Sequence, residues 1–368
     1  MSVNSHIEGV LKLTSPMNCA DPTKHWVDEA GRVTTSKGVT SCTATVRQRI
    51  ANDLIPYFPA NDLRGRLRRK AADLVMKALT AKGEKISVEL YAALCAGSYN
   101  AQPDSSGMTI EEASRAARHV YMGLFGGGSR LIRSGYSVQD LVPIIQTTVA
   151  AGMVPEKYMD YAPRIPQAES PDDESQKTRN QEGWRLLDVR SIIRVDDTMR
   201  VLRQDEMMAY IDNPLESVAA YQNKVMANRK KVKESKESAE AEKSTKTDIG
   251  NIVSVQSIIA GTQMYFRLDL SDSMTSAQVG LMLSSICALF NEQALGGWCR
   301  TGFGKYEANE FSLLIDGQKM EFLAGERGNY MLSETAAPYI EAMNQELSAL
   351  TSAELMEFFE SRQSQKAA

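Results

Sequence analysis

The stretch NDLRGRLRRK, Asn61 to Lys70, decides how this chain is read. Leu63, Leu67, Ala71 and Leu74 recur at the 3.6-residue period, so one face of a helix enters a core while Arg64, Arg66, Arg68, Arg69 and Lys70 flank or oppose it. Burying the three leucines stabilises by roughly 1.5 to 3 kcal/mol each, which anchors the helix and pins its cations in place. Asn61 or Asp62 is expected to cap it. Gly65 weakens a helix interior by about 1 kcal/mol relative to Ala and suits a place where another backbone comes close. Two readings stay open on these residues alone: a solvated helix with ion-pair partners, or a helix that grips an anion.

Before this helix, His6 to Thr14 alternates as a half-buried strand, with Ile7, Gly9, Leu11 and Leu13 on one face. Ser15 to Thr40 is rich in turn formers and reads as a functional or partner-bound loop. Cys42 to Ile50 alternates again, Ala44, Val46 and Ile50 inward and Thr45, Arg47 and Arg49 outward, and Ile55-Pro56-Tyr57-Phe58-Pro59 leads into the helix.

After it, Thr109 and Glu112 form a capping box for a helix running through Ala113, Ala117, Val120 and Leu124. That helix ends at Gly126-Gly127-Gly128-Ser129-Arg130, where successive backbone N–H groups could make a concave phosphate nest helped by Ser129, Arg130 and Arg133. Ser137 and Asp140 are expected to cap a further helix, DLVPIIQTTVAAG. Pro163 to Glu182 reads as a linker and Leu187 to Val201 as a strand, with Arg190 and Arg194 on one face. Lys224 to Lys246 is a lysine and glutamate run, solvated or disordered. Asp188 to Ser254 is thus one long excursion from a domain that resumes near Ile252. Met264 to Leu270 alternates strictly, and Thr275 with Gln278 caps the helix AQVGLMLSSICALF, which delivers the loop GGWCRTGFGKY, Gly296 to Tyr306. Phe311 to Ile315, Asp316-Gly317 and Lys319 to Leu323 make a hairpin, and Thr351 with Glu354 caps a closing helix.

Bulk properties narrow the function. With 42 Lys plus Arg against 46 Asp plus Glu, the net charge of −4 excludes a surface that coats nucleic acid everywhere, so any such site is a local patch. The five cysteines are never spaced as CxxC and read as reduced thiols of a cytoplasmic protein. No signal region precedes the first strand and no apolar run approaches the ~18 residues of a membrane span. Walker A, GxGxxG and HExxH patterns are absent, and His6, His25 and His119 lie far apart. One metal motif competes: Asp269, Ser271 and Ser273 match the DxSxS site of von Willebrand A domains, which would make this a metal-dependent adhesion module. Only about 100 residues follow, too few for the repeated βα units such a domain needs.

Taken in order, IPYFPANDLRGRLRR, the excursion beginning at RSIIRVDD, SIIAGTQMYFRLDL and GGWCRTGFG resemble the backbone subunits of multi-subunit CRISPR effector complexes, in the RAMP superfamily. The match spans about residues 5 to 325, and FGGGSRL with the overall layout is most similar to type IV systems. The resemblance implies an α+β fold: a modified RRM, ferredoxin-like palm with helical finger insertions and a long thumb insertion. The palm's first half, fingers and guide helix would occupy residues 1–187, the thumb 188–254, and the palm's second half 255–368. It implies that Asn61, Arg64, Gly65, Arg66, Arg68 and Arg69 grip guide-RNA phosphates, with donors from Gly127, Gly128, Ser129, Arg130 and Arg133. Arg190, Arg194, Met199 and Arg200 of the thumb would press on a neighbour's guide segment, and Arg300 and Lys305 would line the glycine-rich loop. These contacts position the guide; target sequence is read by base pairing. The implied partners are a crRNA guide, a complementary DNA or RNA target, copies of the chain in a head-to-tail filament, other effector subunits and a helicase. No catalytic residue, metal or cofactor is expected. Type III relatives cut target RNA with an Asp in the loop after the first strand, so Asp21 and Asp28 define an RNase alternative.

Overall fold

In a computed structural model of the chain, the described residues are 5–98, 108–128, 131–163, 182–193, 213, 216, 217, 220, 223, 252–292, 294–315 and 317–360. Among them the strands are β1 (His6–Leu13), β2 (His25–Val27), β3 (Val33–Thr34), β4 (Thr40–Thr43), β5 (Arg47–Ile50), β6 (Asp53–Pro56), β7 (Tyr136–Val138), β8 (Val142–Pro143), β9 (Leu187–Ile193), β10 (Ile252–Ile258), β11 (Gln263–Leu270), β12 (Tyr306–Ile315), β13 (Gln318–Glu321), β14 (Leu323–Glu326) and β15 (Asn329–Leu332). The helices are α1 (Ala60–Ala81), α2 (Val88–Ala96), α3 (Ile110–Arg118), α4 (Met122–Phe125), α5 (Gln146–Ala150), α6 (Glu182–Arg185), α7 (Ser276–Phe290), α8 (Ala337–Ala349) and α9 (Ser352–Phe359). The chain is a mixed α+β protein.

Contacts divide the chain into two units. The first holds Met1–Lys24, Thr43–Val189 and Gln256–Ala368. Its centre is β1, which pairs antiparallel with β11 on one side (His6 opposite Asp269) and β12 on the other (His6 opposite Leu314). The sheet order is β13-β12-β1-β11-β7, with β8 also on β11. Followed as β1, α1, β7, β11, α7 and β12, the chain places its fourth, first, third and second strands side by side. Ile7, Leu11, Phe266 and Leu268 point to α1 and α7, whose Leu63, Leu67, Leu281 and Phe290 complete one core. On the other sheet face Val10 and Tyr265 are covered by Val142, Ile144, Val154 and Tyr158. β1 is therefore buried at every position except Lys12, where a half-buried strand was expected.

The capping boxes at Thr109/Glu112 and Thr275/Gln278 form, and Thr351 caps α9. The Asp-Gly hairpin joins β12 to β13 with Ile315 opposite Gln318. Four local expectations fail for physical reasons. The helix from Thr109 stops at Arg118, because His119 turns extended and its Nδ1 accepts the N–H groups of Tyr121 and Met122, both at 3.1 Å, starting α4 afresh. The helix expected from Asp140 is instead strand β8, since Val142 and Pro143 pair with Tyr265 and Met264; only Gln146–Ala150 is helical. Cys42 to Ile50 is broken into β4 and β5, with Thr45 buried and its hydroxyl donating to the Gln256 carbonyl at 2.7 Å. The Ser15–Thr40 stretch contains β2 and β3.

The second unit joins His25–Cys42 to Arg190–Val255 and is built on the five-stranded sheet β3-β2-β4-β10-β9. Ser254 anchors it, its hydroxyl 3.3 Å from that of Thr40 and 3.1 Å from that of Ser191. The strand expected over Leu187 to Val201 is described to Ile193; Arg194, Met199, Arg200 and Lys224 to Lys246 lie outside the described residues. No helix among the described residues is long and apolar enough to cross a membrane.

Candidate nucleic-acid interface

α1 buries Leu63, Leu67 and Ala71 of the expected stripe together with Ala72, Val75 and Leu79, while Leu74 is only half-buried. Its cap differs from expectation: Pro59 stands at the N-cap without a side-chain bond, and Asp140 supplies the acceptor, its carboxylate taking the Ala60 N–H at 2.7 Å. Neither Asn61 nor Asp62 caps the helix; Asp62 adds a negative charge to the first turn, where the helix dipole favours it.

The five cations clustered from Arg64 to Lys70 part company. Arg64 is exposed and, with Asn61, opens on a cavity of about 740 Å³ that Arg133, Ser271 and Ser273 also line. Tyr136 shares that cavity; burial pushes its phenol up while the neighbouring Arg64 and Arg68 guanidinium groups pull it down. Arg66 turns the other way, pairing with Asp62 at 3.1 Å and approaching Glu292 at 3.8 Å, and Lys70 meets the same Glu292 at 2.6 Å. Arg68 is engaged internally: its guanidinium donates to the Phe125 carbonyl at 2.5 Å and the Gly126 carbonyl at 3.2 Å and lies 5.6 Å from the centre of the Phe125 ring. Arg69 is exposed, and its guanidinium lies 3.3 Å from where a Cβ on Gly65 would sit. The basic helix thus presents Arg64 and Arg69 outward, neutralises Arg66 and Lys70, and commits Arg68 to the neighbouring turn.

That turn is Gly126–Gly128, all three residues at positive φ. The Gly127 N–H donates to the Ile132 carbonyl at 2.8 Å and the Gly128 N–H to the Gly97 carbonyl at 2.7 Å. A Cβ at Gly127 would stand 2.3 Å from the Gly97 carbonyl oxygen, and one at Gly128 2.5 Å from that of Phe358. Close packing explains these glycines, and the two amides expected to form a phosphate nest are already bonded within the chain. Ser129 and Arg130 lie outside the described residues; Arg133 is exposed at the cavity.

The loop Gly296–Lys305 is stitched to the segment that follows β1. The Gly297 N–H donates to the Asn18 carbonyl at 2.7 Å, the Gly304 N–H to the Pro16 carbonyl at 2.7 Å and the Lys305 N–H to the Ser15 hydroxyl at 2.8 Å. Arg300 and Lys305 are exposed, while Phe303 is buried. Cys19, on the same segment, has its thiol pushed up to about 11 by burial and by Asp62, against the opposing pull of Arg66, which places this segment beside the first turns of α1.

The remaining candidates separate. Asp21 belongs to the first unit, where its carboxylate accepts the Thr23 N–H at 2.8 Å. Asp28 belongs to the second and clasps a hairpin turn, accepting both the N–H and the side-chain Nε of Arg32 at 2.8 and 2.9 Å. Arg190 lies on β9 in the second unit. Asp269 is held by Arg267 at 2.8 and 2.9 Å, and the Ser271 and Ser273 hydroxyls lie 3.0 Å apart. Sequence reasoning missed Tyr136 and Glu292, and read Asp140 as the cap of a following helix where it caps α1. Each acts on α1 from a distant segment, so no local pattern marks that role.

No family model matches the chain, and no curated protein matches it. A solved structure named Type IV-B CRISPR Complex is similar over 88% of this chain and 96% of its own, at 12% identity and a TM-score of 0.43.

Proposed function

We propose that the chain is a non-catalytic, guide-RNA-binding backbone subunit of a CRISPR effector complex, most like those of type IV systems. The observation that carries the reading is the meeting of Arg64, from the second turn of α1, with Arg133, from the turn after Gly126–Gly128, over one cavity at the helix N-terminus. Two cations over one hollow suit a phosphate and read no base, although the α1 N-terminus there is already capped by Asp140 and Asp269 adds a carboxylate to the lining. The strand order fourth, first, third, second fits an RRM, ferredoxin-like palm. In this reading helices α2 to α4 are fingers and the excursion over 188–254 is the thumb. Arg64, Arg69, Arg133, Arg300 and Lys305 contact the guide, and Arg66, Arg68 and Lys70 hold the platform. Copies of the chain line up head to tail along a crRNA, with other effector subunits at the ends and a complementary strand pairing with the exposed guide; in type IV systems a helicase joins.

The test is whether the purified chain carries RNA with repeat-derived ends, judged by its ultraviolet absorbance ratio and by sequencing. With four or five phosphates held per subunit, affinity falls with salt at a log–log slope of roughly −3 for a single strand. Salt-independent binding overturns the proposal. So does cleavage of complementary RNA at regular intervals in the presence of a divalent metal, lost on Asp21→Ala, which would move the chain to the RNase class.

A further inference from the structure

Trp298 stands in the left-handed region, at φ 59° and ψ 20°, within a run that holds Gly296, Gly297, Gly302 and Gly304. A bulky L side chain is disfavoured there, whereas glycine adopts the conformation freely. The surroundings leave it no slack in which to relax. The Trp298 carbonyl accepts the Thr301 N–H at 2.9 Å and the Thr301 hydroxyl at 2.8 Å, and the Gly297 N–H just before it is tied to Asn18. Asn18 is fixed in turn, its amide donating to the Gln256 carbonyl at 2.6 Å and reaching the Thr45 hydroxyl at 3.3 Å. A glycine at this position would satisfy every one of these backbone bonds without strain. The indole itself is therefore the reason the strain is kept.

That indole is half-buried, in contrast to Phe303, which is 1% exposed and anchors the loop. Two exposed cations, Arg300 and Lys305, share the loop with it. A half-buried aromatic ring on a fixed backbone, in a loop that also carries two exposed cations, has the make-up of a stacking platform for single-stranded nucleic acid, where bases lie on rings and phosphates meet cations. We infer that Trp298 is a nucleobase-stacking residue, its ring receiving one base of the bound RNA while Arg300 and Lys305 meet the flanking phosphates. The inference rests on the RNA-binding reading above and adds to it a contact with a base face, which tolerates any sequence.

The experiment uses the full chain and a fluorescein-labelled single-stranded 30-mer RNA of mixed sequence, read by anisotropy. Trp298→Gly should unfold at the wild-type temperature or above, because the strain is gone, and should bind RNA about 5- to 150-fold more weakly, the range of one base–aromatic stack. Trp298→Phe should recover most of that affinity. In a Trp26→Phe, Trp184→Phe background, unlabelled RNA should quench the remaining indole emission. Wild-type affinity in Trp298→Gly, or emission that RNA leaves unchanged, overturns the stacking role while RNA binding by the wild type keeps the wider reading. A lower unfolding temperature for Trp298→Gly would make the indole structural and overturn the inference as well. A wild-type chain that binds no RNA removes both.

Discussion

The carboxylate of Asp140 accepts the backbone N–H of Ala60 at 2.7 Å, across 80 residues of chain. The residue that caps α1 therefore sits between β7 and β8, and the helix is completed only when that segment docks. Asp140→Ala should cost about 1 kcal/mol of stability, within the 0.5 to 2 kcal/mol range of cap deletions, while Asp140→Asn keeps an acceptor and loses less. Urea denaturation of the two variants measures the difference.

Gly65 offers a test with opposite signs. Among the described residues the only close neighbour of a Cβ there is the end of the flexible Arg69 side chain at 3.3 Å, so Gly65→Ala should stabilise α1 by roughly 0.5 to 1 kcal/mol. If the RNA backbone approaches the helix at this point, the same substitution weakens RNA binding while raising the unfolding temperature. A variant that is stabler and binds normally would place the guide away from Gly65.

Arg64 and Arg68 should behave differently although both are arginines on one helix. Arg64 is exposed, so Arg64→Gln should change stability by no more than about 0.5 kcal/mol and flatten the salt slope of RNA binding by roughly 0.7. Arg68→Lys retains the charge but loses the planar fork that spans the Phe125 and Gly126 carbonyls and the guanidinium contact with the Phe125 ring, and should destabilise by about 1 to 3 kcal/mol. Equal effects of the two in chemical denaturation would refute this division of labour.

Glu8 sets a pH dependence. It is 1% exposed on β1, and burial pushes its carboxyl up; Lys157, the Tyr265 hydroxyl at 3.1 Å and His6 at 3.8 Å outweigh that and hold it below the ordinary 4.5. A depressed carboxyl contributes stability that is fully present above its unfolded value and is lost as pH falls through the folded one. Wild type should exceed Glu8→Gln at pH 7 by on the order of 2 kcal/mol. The gap should close below pH 4.5, as followed by thermal melts across an acid series.

Much of this architecture was legible along the chain because its signals are local. The Thr275/Gln278 box, the alternation of β11 and the Asp-Gly pair between β12 and β13 each lie within a few residues of the structure they specify. The errors fall where the deciding partner is remote. Val142 to Ile145 is a short apolar run that periodicity cannot assign, and its pairing with β11 makes it extended. The break at His119 carries no glycine or proline; it is stabilised by Gln278, whose amide donates to the Ala117 and His119 carbonyls at 2.8 and 3.1 Å. At the candidate site the basic cluster was visible but its allotment was not. Glu292 and the carbonyls of Phe125 and Gly126 belong to other segments and decide which cations face outward.

The central position of β1 has a consequence for how the protein is made. The neighbours of β1, strands β11 and β12, are encoded some 260 and 300 residues after it. At about 5 to 20 residues per second, both its edges wait for tens of seconds or longer before they are sealed. Nascent chains that stop before Tyr306 keep one edge of an apolar strand open to other chains. Premature termination in that window should therefore yield aggregates, and synthesis of the intact chain should benefit from a chaperone that shields the first strand.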